Sequence, residues 1–221
     1  VDREQAARLL ADVAAGTTST AEALAKLESG VLGDGDGFAD LGFARVDTHR
    51  VLRTGDPEVV YAAGKTTEQV VAIVRRLRAA HPAHPILVTR ASDEVRAAVR
   101  TACPDEPLVE DAVGRCVALG PLPRNARGRV AVVCAGTSDL PVAAEATFTA
   151  RVFGAGVEQV TDVGVAGIHR LLAARPVLDR SDCVVVVAGM DGALPGVVAG
   201  LIGIPIVAVP TSVGYGAAFG G

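Results

Sequence analysis

The stretch RVAVVCAGTSDLPVAAEA, residues 129–146, decides the fold. Its first part, RVAVVCAG, is a continuous apolar run, as in a strand buried on both faces. Small and hydroxylated residues follow, AGTSD, and then a helix, DLPVAAEATFTARVFG. Downstream the alternation continues. VEQVTDVG reads as a strand, AGIHRLLAAR as a helix, DCVVVVAG as a strand, LPGVVAGLIG as a short helix and PIVAVP as a strand. Four apolar strands alternating with helices predict a parallel sheet with helices on both faces, so the fold class is α/β.

Working outward, the chain divides into three regions. Residues 1–37 are expected to be N-terminal helices and a linker. DREQAARLLADVAAG places Ala6, Leu9, Leu10 and Val13 on one stripe, and Gly16 stops it. TTSTAEALAKLESG is a second short helix, and VLGDGDGFADLG reads as a Gly/Asp-rich link without EF-hand spacing. Residues 38–127 are predicted to be a small α/β domain. FARVD and PEVVYA read as strands, HPILVTRA as another, and LVEDA and GRCVALG as a hairpin or two edge strands. In TTEQVVAIVRRLRAA, Thr66 and Gln69 form a capping box ahead of the face Val70, Ile73, Val74 and Leu77. SDEVRAAVRTA is a helix capped by Ser92. Residues 128–221 hold the regular parallel sheet.

Composition limits the function. The 221 residues are 50% apolar but only 3% aromatic, with no Trp, so Val, Ala, Leu and Ile fill the core. A net charge of −4 argues against nucleic acid as the main partner. No uninterrupted apolar stretch is long enough for a membrane span, and no signal peptide is evident, so a soluble, cytoplasmic protein is expected. The four cysteines, 103, 116, 134 and 183, lack metal or disulfide spacing. Cys134 and Cys183 read as small core residues. His169 reads as a helix-surface residue.

In an open parallel sheet, ligands bind outside the carboxyl ends of the strands. Four loops fall there: AGTSD (135–139), DVGVAG (162–167), AGMDGALPG (188–196) and PTSVGYG (210–216). They are small, Gly-bearing or hydroxylated, and the first three lead into helix N-termini that favour an anion. Candidate binding residues are therefore Gly136, Thr137, Ser138 and Asp139; Gly164, Val165, Ala166 and Gly167; Gly192 and Ala193; and Pro210, Thr211, Ser212 and Tyr215. A well-capped strand-to-helix turn would carry the same residue types. Asp139 repels phosphate, so it is expected nearer a ribose or a metal, with Thr137 and Ser138 nearer phosphate. Asp191, partly desolvated among small residues, is the candidate acid or base. No loop carries the G-x-G-x-x-G or Walker A pattern. In the small domain Arg45, Asp47, His49, Arg50, Arg53 and Lys65 crowd together, with Arg45 and Asp47 on one strand face. Arg45, Asp47, Arg50 and Lys65 could form a basic lip for an anionic substrate; surface ion pairs are the plain alternative.

Two resemblances follow. AGTSDLP and GALPG make residues 128–221 similar to the carboxyaminoimidazole ribonucleotide mutase (PurE) family, which implies a flavodoxin-like parallel sheet; the position of the mutase histidine holds Ala193. Across residues 38–221, FARVDTHRVLRTGDPEVVYAAGKT, DVGVAGIHRLL, VVAGMDGALPGVVAGL and VPTSVGYGAAFGG resemble the LarB family of nickel-pincer cofactor biosynthesis. That resemblance implies carboxylation of the pyridinium ring of nicotinic acid adenine dinucleotide by carbon dioxide. It also implies hydrolysis of the phosphoanhydride to give AMP and pyridinium-3,5-biscarboxylic acid mononucleotide. The family's acidic residue maps to Asp191. Its cysteine nucleophile is expected in a segment beyond Gly221, so the sequence is expected to be part of a longer chain. Mg²⁺ is the expected metal, with Asp139 and Asp47 as candidate ligands, and an octamer is the expected assembly. A purine-type carboxylate mutase and a non-catalytic nucleotide-binding module are the alternative functions.

Overall fold

The computed structural model describes residues 3–30 and 37–213. The chain forms two compact units, residues 1–108 with 118–121 and residues 109–117 with 122–221.

The first unit opens with helices α1 (Arg3–Ala14) and α2 (Thr20–Gly30). Leu9 of the predicted apolar stripe is buried, whereas Leu10 is exposed. Ser19 starts α2 with a reciprocal cap, its backbone N–H donating to Glu22 at 3.0 Å and its hydroxyl accepting from the Glu22 N–H at 3.2 Å. Strands β1 (Phe38–Asp40) and β2 (Arg45–Asp47) form an antiparallel hairpin with Phe38 opposite Asp47. A short helix α3 (Arg50–Thr54) follows. Neither β1 nor α3 was expected from the sequence. Strand β3 is only Val60–Tyr61, shorter than the predicted PEVVYA, and pairs in parallel with β4 (Ile86–Thr89). Helices α4 (Thr67–Ala80) and α5 (Asp93–Ala102) pack together.

The predicted Thr66–Gln69 capping box is present, and Val70, Ile73, Val74 and Leu77 are the buried face of α4. Ser92 caps α5 through the Val95 N–H. Strands β5 (Leu108–Asp111) and β6 (Cys116–Leu119) complete a sheet in the order β3-β4-β6-β5. Thus β6 is an inner strand with all four of its residues buried, and of these two strands β5 alone lies at an edge.

The parallel sheet of the second unit contains β7 (Arg129–Cys134), β8 (Gly156–Val160), β9 (Cys183–Ala188) and β10 (Ile206–Pro210), in the order β10-β9-β7-β8. All three pairings are parallel. Helices α6 (Leu140–Val152), α7 (Ile168–Ala173), α8 (Arg175–Asp179) and α9 (Ala193–Leu201) cover it. The alternation of β7 shows how. Ala131 and Val133 pack with Leu171 of α7, Leu178 of α8, and Leu194 and Val198 of α9. Val132 and Cys134 face the other way, against Ala143 of α6. Both sheet faces are therefore covered by helices, as predicted.

Strand order fixes where a ligand fits. From β7 the chain crosses by α6 to β8 on one side, and from β8 by α7 and α8 to β9 on the other. The loops after β7 and β9 consequently part, leaving a crevice at the carboxyl edge where the strand order reverses.

Candidate functional site

That crevice holds a pocket of about 230 Å³. Ala135, Gly136, Ser138 and Asp139 line it from the β7 loop, and Gly164, Val165, Ala166 and Arg170 from the β8 loop and α7. Ala188, Gly189, Met190, Ala193 and Leu194 come from β9 and its loop, with Val213 beyond β10. Small side chains let backbone approach backbone here: Val163 and Gly164 donate to the carbonyls of Cys134 and Ala135 at 3.2 and 2.9 Å, and Ala135 donates to Val187 at 3.0 Å.

Thr137–Asp139 forms a single 3-10 turn leading into α6. Ser138 is exposed on the pocket wall, while Thr137 is exposed outside the lining. Asp139 is only 5% exposed. One of its oxygens accepts the Gly136 N–H at 2.9 Å, and the other accepts the Thr211 hydroxyl at 2.7 Å. Thr211 is equally buried, whereas Pro210 and Ser212 are exposed. Tyr215 lies outside the described residues.

Asp191 departs from expectation. It is exposed and is not part of the pocket lining, so the partial desolvation read from its small neighbours is absent. The cause is the backbone. Asp191 and Gly192 are successive left-handed residues, at φ 55° and 61°, and they carry the loop outward before α9 begins.

Sequence reading missed Arg170. It lines the pocket, and its guanidinium pairs with Asp162 at 2.5 Å. It crosses over Gly167, where an added Cβ would stand 2.6 Å from Arg170 Nε. A glycine three positions before a basic residue, at the mouth of a strand-to-helix loop, was the available signal. His169 is exposed, as predicted.

The basic cluster of the first unit is locally engaged. Arg45 lies over the Phe38 ring at 5.1 Å and beside Asp40 at 3.8 Å. Asp47 accepts from Arg53 at 2.5 Å and from the His49 N–H at 3.0 Å. Lys65 donates to the Tyr61 carbonyl at 2.7 Å, and Arg50 is exposed at the start of α3. Ion pairs and cation–π contacts account for most of this cluster.

Metal-ligating side chains do not cluster among the described residues: no group of three or more His, Cys, Asp or Glu there could hold an ion. Both candidate ligands, Asp139 and Asp47, already accept two donors each. Cys134 is fully buried and burial pushes its thiol pKa up, which keeps it protonated. Among the described residues no helix is long and apolar enough to cross a membrane.

A parallel sheet with this strand order and a small-residue pocket at its reversal point defines the second unit as a PurE-like α/β fold. Residues 38–120 match the LarB/PurE-like N-terminal domain. The chain is also 36% identical over 178 residues to an uncharacterized protein of Methanocaldococcus jannaschii, covering 78% of this chain and 69% of that protein. The chain belongs to the LarB family.

Proposed function

We propose that the protein carboxylates the pyridinium ring of nicotinic acid adenine dinucleotide with carbon dioxide and hydrolyses its phosphoanhydride. The products are AMP and pyridinium-3,5-biscarboxylic acid mononucleotide, an early intermediate of nickel-pincer cofactor synthesis. Family membership supports the class of reaction. The observation that carries the reading is the pocket: an apolar floor at the strand reversal, with Ser138 and Arg170 as its polar wall. Such a floor accommodates a flat ring, and a guanidinium donates hydrogen bonds to phosphate or carboxylate oxygens.

The chemistry sets the roles. A pyridinium ring is too electron-poor to attack carbon dioxide. A nucleophile first adds to the ring, giving an enamine-like carbon whose electron pair forms the new C–C bond to carbon dioxide. A base then takes the ring proton at that carbon, and the electron pair it releases expels the nucleophile and restores the aromatic ring. Separately, water attacks the phosphoanhydride and AMP departs. Asp191, on the exposed loop before α9, is the proposed base for the ring proton. Cys134 is not the nucleophile, because its thiol is buried and protonated. The reaction is proposed to run in the cytoplasm, and the working assembly to be an octamer.

The test is incubation of the full-length protein with the dinucleotide, bicarbonate and Mg²⁺, followed by chromatography and mass spectrometry. AMP together with a nicotinate mononucleotide carrying one extra carboxylate is expected. Asp191→Ala should stop carboxylation while the dinucleotide still binds. Absence of both products from the full-length protein would refute the assignment.

A further inference from the structure

Asp139 is the most buried charged group at the pocket, yet its two oxygens already serve the protein. The Gly136 N–H holds one within its own loop. The other takes the hydroxyl of Thr211, which lies 72 residues away in sequence. A hydroxyl has one proton, and the 2.7 Å contact to a carboxylate takes precedence over the 3.2 Å contact from the same oxygen to the Val213 carbonyl. The tie holds the chain after β10 across Gly189, so close that a Cβ there would stand 1.7 Å from the Val213 carbonyl oxygen. Val213 itself lines the pocket.

We infer that Asp139 is a positioning residue rather than a ligand to substrate or metal. Its carboxylate pins residues 211–213 to the β7 loop, and so sets the wall that Val213 presents to the ligand. The binding consequence rests on the dinucleotide reading of the pocket; the pin itself does not.

An asparagine can replace the pin. Its carbonyl oxygen accepts the Gly136 N–H, its amide donates to Thr211 Oγ1, and the hydroxyl proton turns to the Val213 carbonyl. It cannot replace an anionic metal ligand. Full-length wild type, Asp139→Ala, Asp139→Asn, Thr211→Ala and the double alanine variant would be titrated calorimetrically with nicotinic acid adenine dinucleotide, with and without Mg²⁺. Asp139→Ala and Thr211→Ala should each weaken binding about tenfold, as loss of one charge-assisted hydrogen bond does. The double variant should lose no more than the worse single, and Asp139→Asn should recover most of the loss without altering the Mg²⁺ dependence. An Asp139→Asn variant as weak as Asp139→Ala, or one that specifically loses the Mg²⁺ dependence, overturns the inference. If wild type does not bind the dinucleotide, the functional reading fails and amide exchange still decides the pin. Protection of the Gly136 amide should be lost in Asp139→Ala and kept in Asp139→Asn; equal protection in wild type and Asp139→Ala refutes it.

Discussion

Gly189→Ala and Gly196→Ala are the same substitution, and the structure gives them opposite signs. At Gly196, within α9, an added methyl meets nothing within 4 Å. Alanine there should raise stability by about 0.5–1 kcal/mol, because it stiffens the unfolded chain and favours helix. At Gly189 the methyl would stand 1.7 Å from the Val213 oxygen, 2.9 Å from its carbonyl carbon and 3.1 Å from Thr211 Oγ1. The first obstacle is backbone, so no rotamer change relieves it. Residues 211–213 must retreat by more than 1 Å, which is enough to break the 2.7 Å bond from Thr211 to Asp139. A hydrogen bond to a charged group contributes about 1.5–3 kcal/mol, and the carboxylate left with one partner adds to the loss. A net destabilisation of about 2–4 kcal/mol follows for Gly189→Ala. Urea unfolding of the two variants beside wild type, followed by circular dichroism, measures both numbers. Equal stability of Gly189→Ala and wild type, or a shift of the same sign in both variants, would refute the account of this crossing.

Acid should weaken the first unit through His81. It is 7% exposed, and burial, reinforced by repulsion from His84, lowers its pKa from 6.5 to about 4. The unfolded chain takes up a proton below pH 6.5 and the folded one only near pH 4. Stability should therefore be flat above that window and fall by up to about 3 kcal/mol as the pH drops through it. Denaturant midpoints measured between pH 7 and 4 would show this slope, and His81→Gln should reduce it. Thr66→Ala removes half of the capping box on α4 and should cost about 1 kcal/mol in the same assay. Gly167→Ala displaces the flexible Arg170 side chain rather than backbone. It should therefore leave the urea midpoint nearly unchanged while weakening dinucleotide binding by roughly tenfold in calorimetry.

Periodicity and local capping made much of this fold legible. Strands β7, β9 and β10 are Val-rich apolar runs that need no partner to be recognised, and Thr66 with Gln69 announces α4 within four residues. Strand β2 was read in FARVD, but its partner β1 was hidden because a three-residue strand carries too little alternation to separate from a loop. The β3 pairing was overestimated because apolar residues at 59–61 do not show that only two of them find a partner. At the site, listening to each loop alone located the edge and the residue types but not their connections. The Asp139–Thr211 bond joins loops that only the sheet brings together, and the exposure of Asp191 follows from two successive left-handed residues that side-chain identity does not announce.

Asp139 shows how a residue's chemistry changes once its partners are known. In AGTSD, a carboxylate beside two hydroxyl residues looks hostile to phosphate. In the folded site its charge is covered by an N–H and an O–H, and little of the side chain reaches the pocket. On the facing wall, Arg170 is half-exposed and balanced by Asp162. Two carboxylates therefore act behind the site, one holding a backbone crossing and the other a guanidinium. Ser138 and Arg170 are the polar side chains they leave facing the pocket. The acidic residues and the small residues are parts of one arrangement: glycine and alanine let the loops converge, and buried hydrogen bonds keep the converged loops in place.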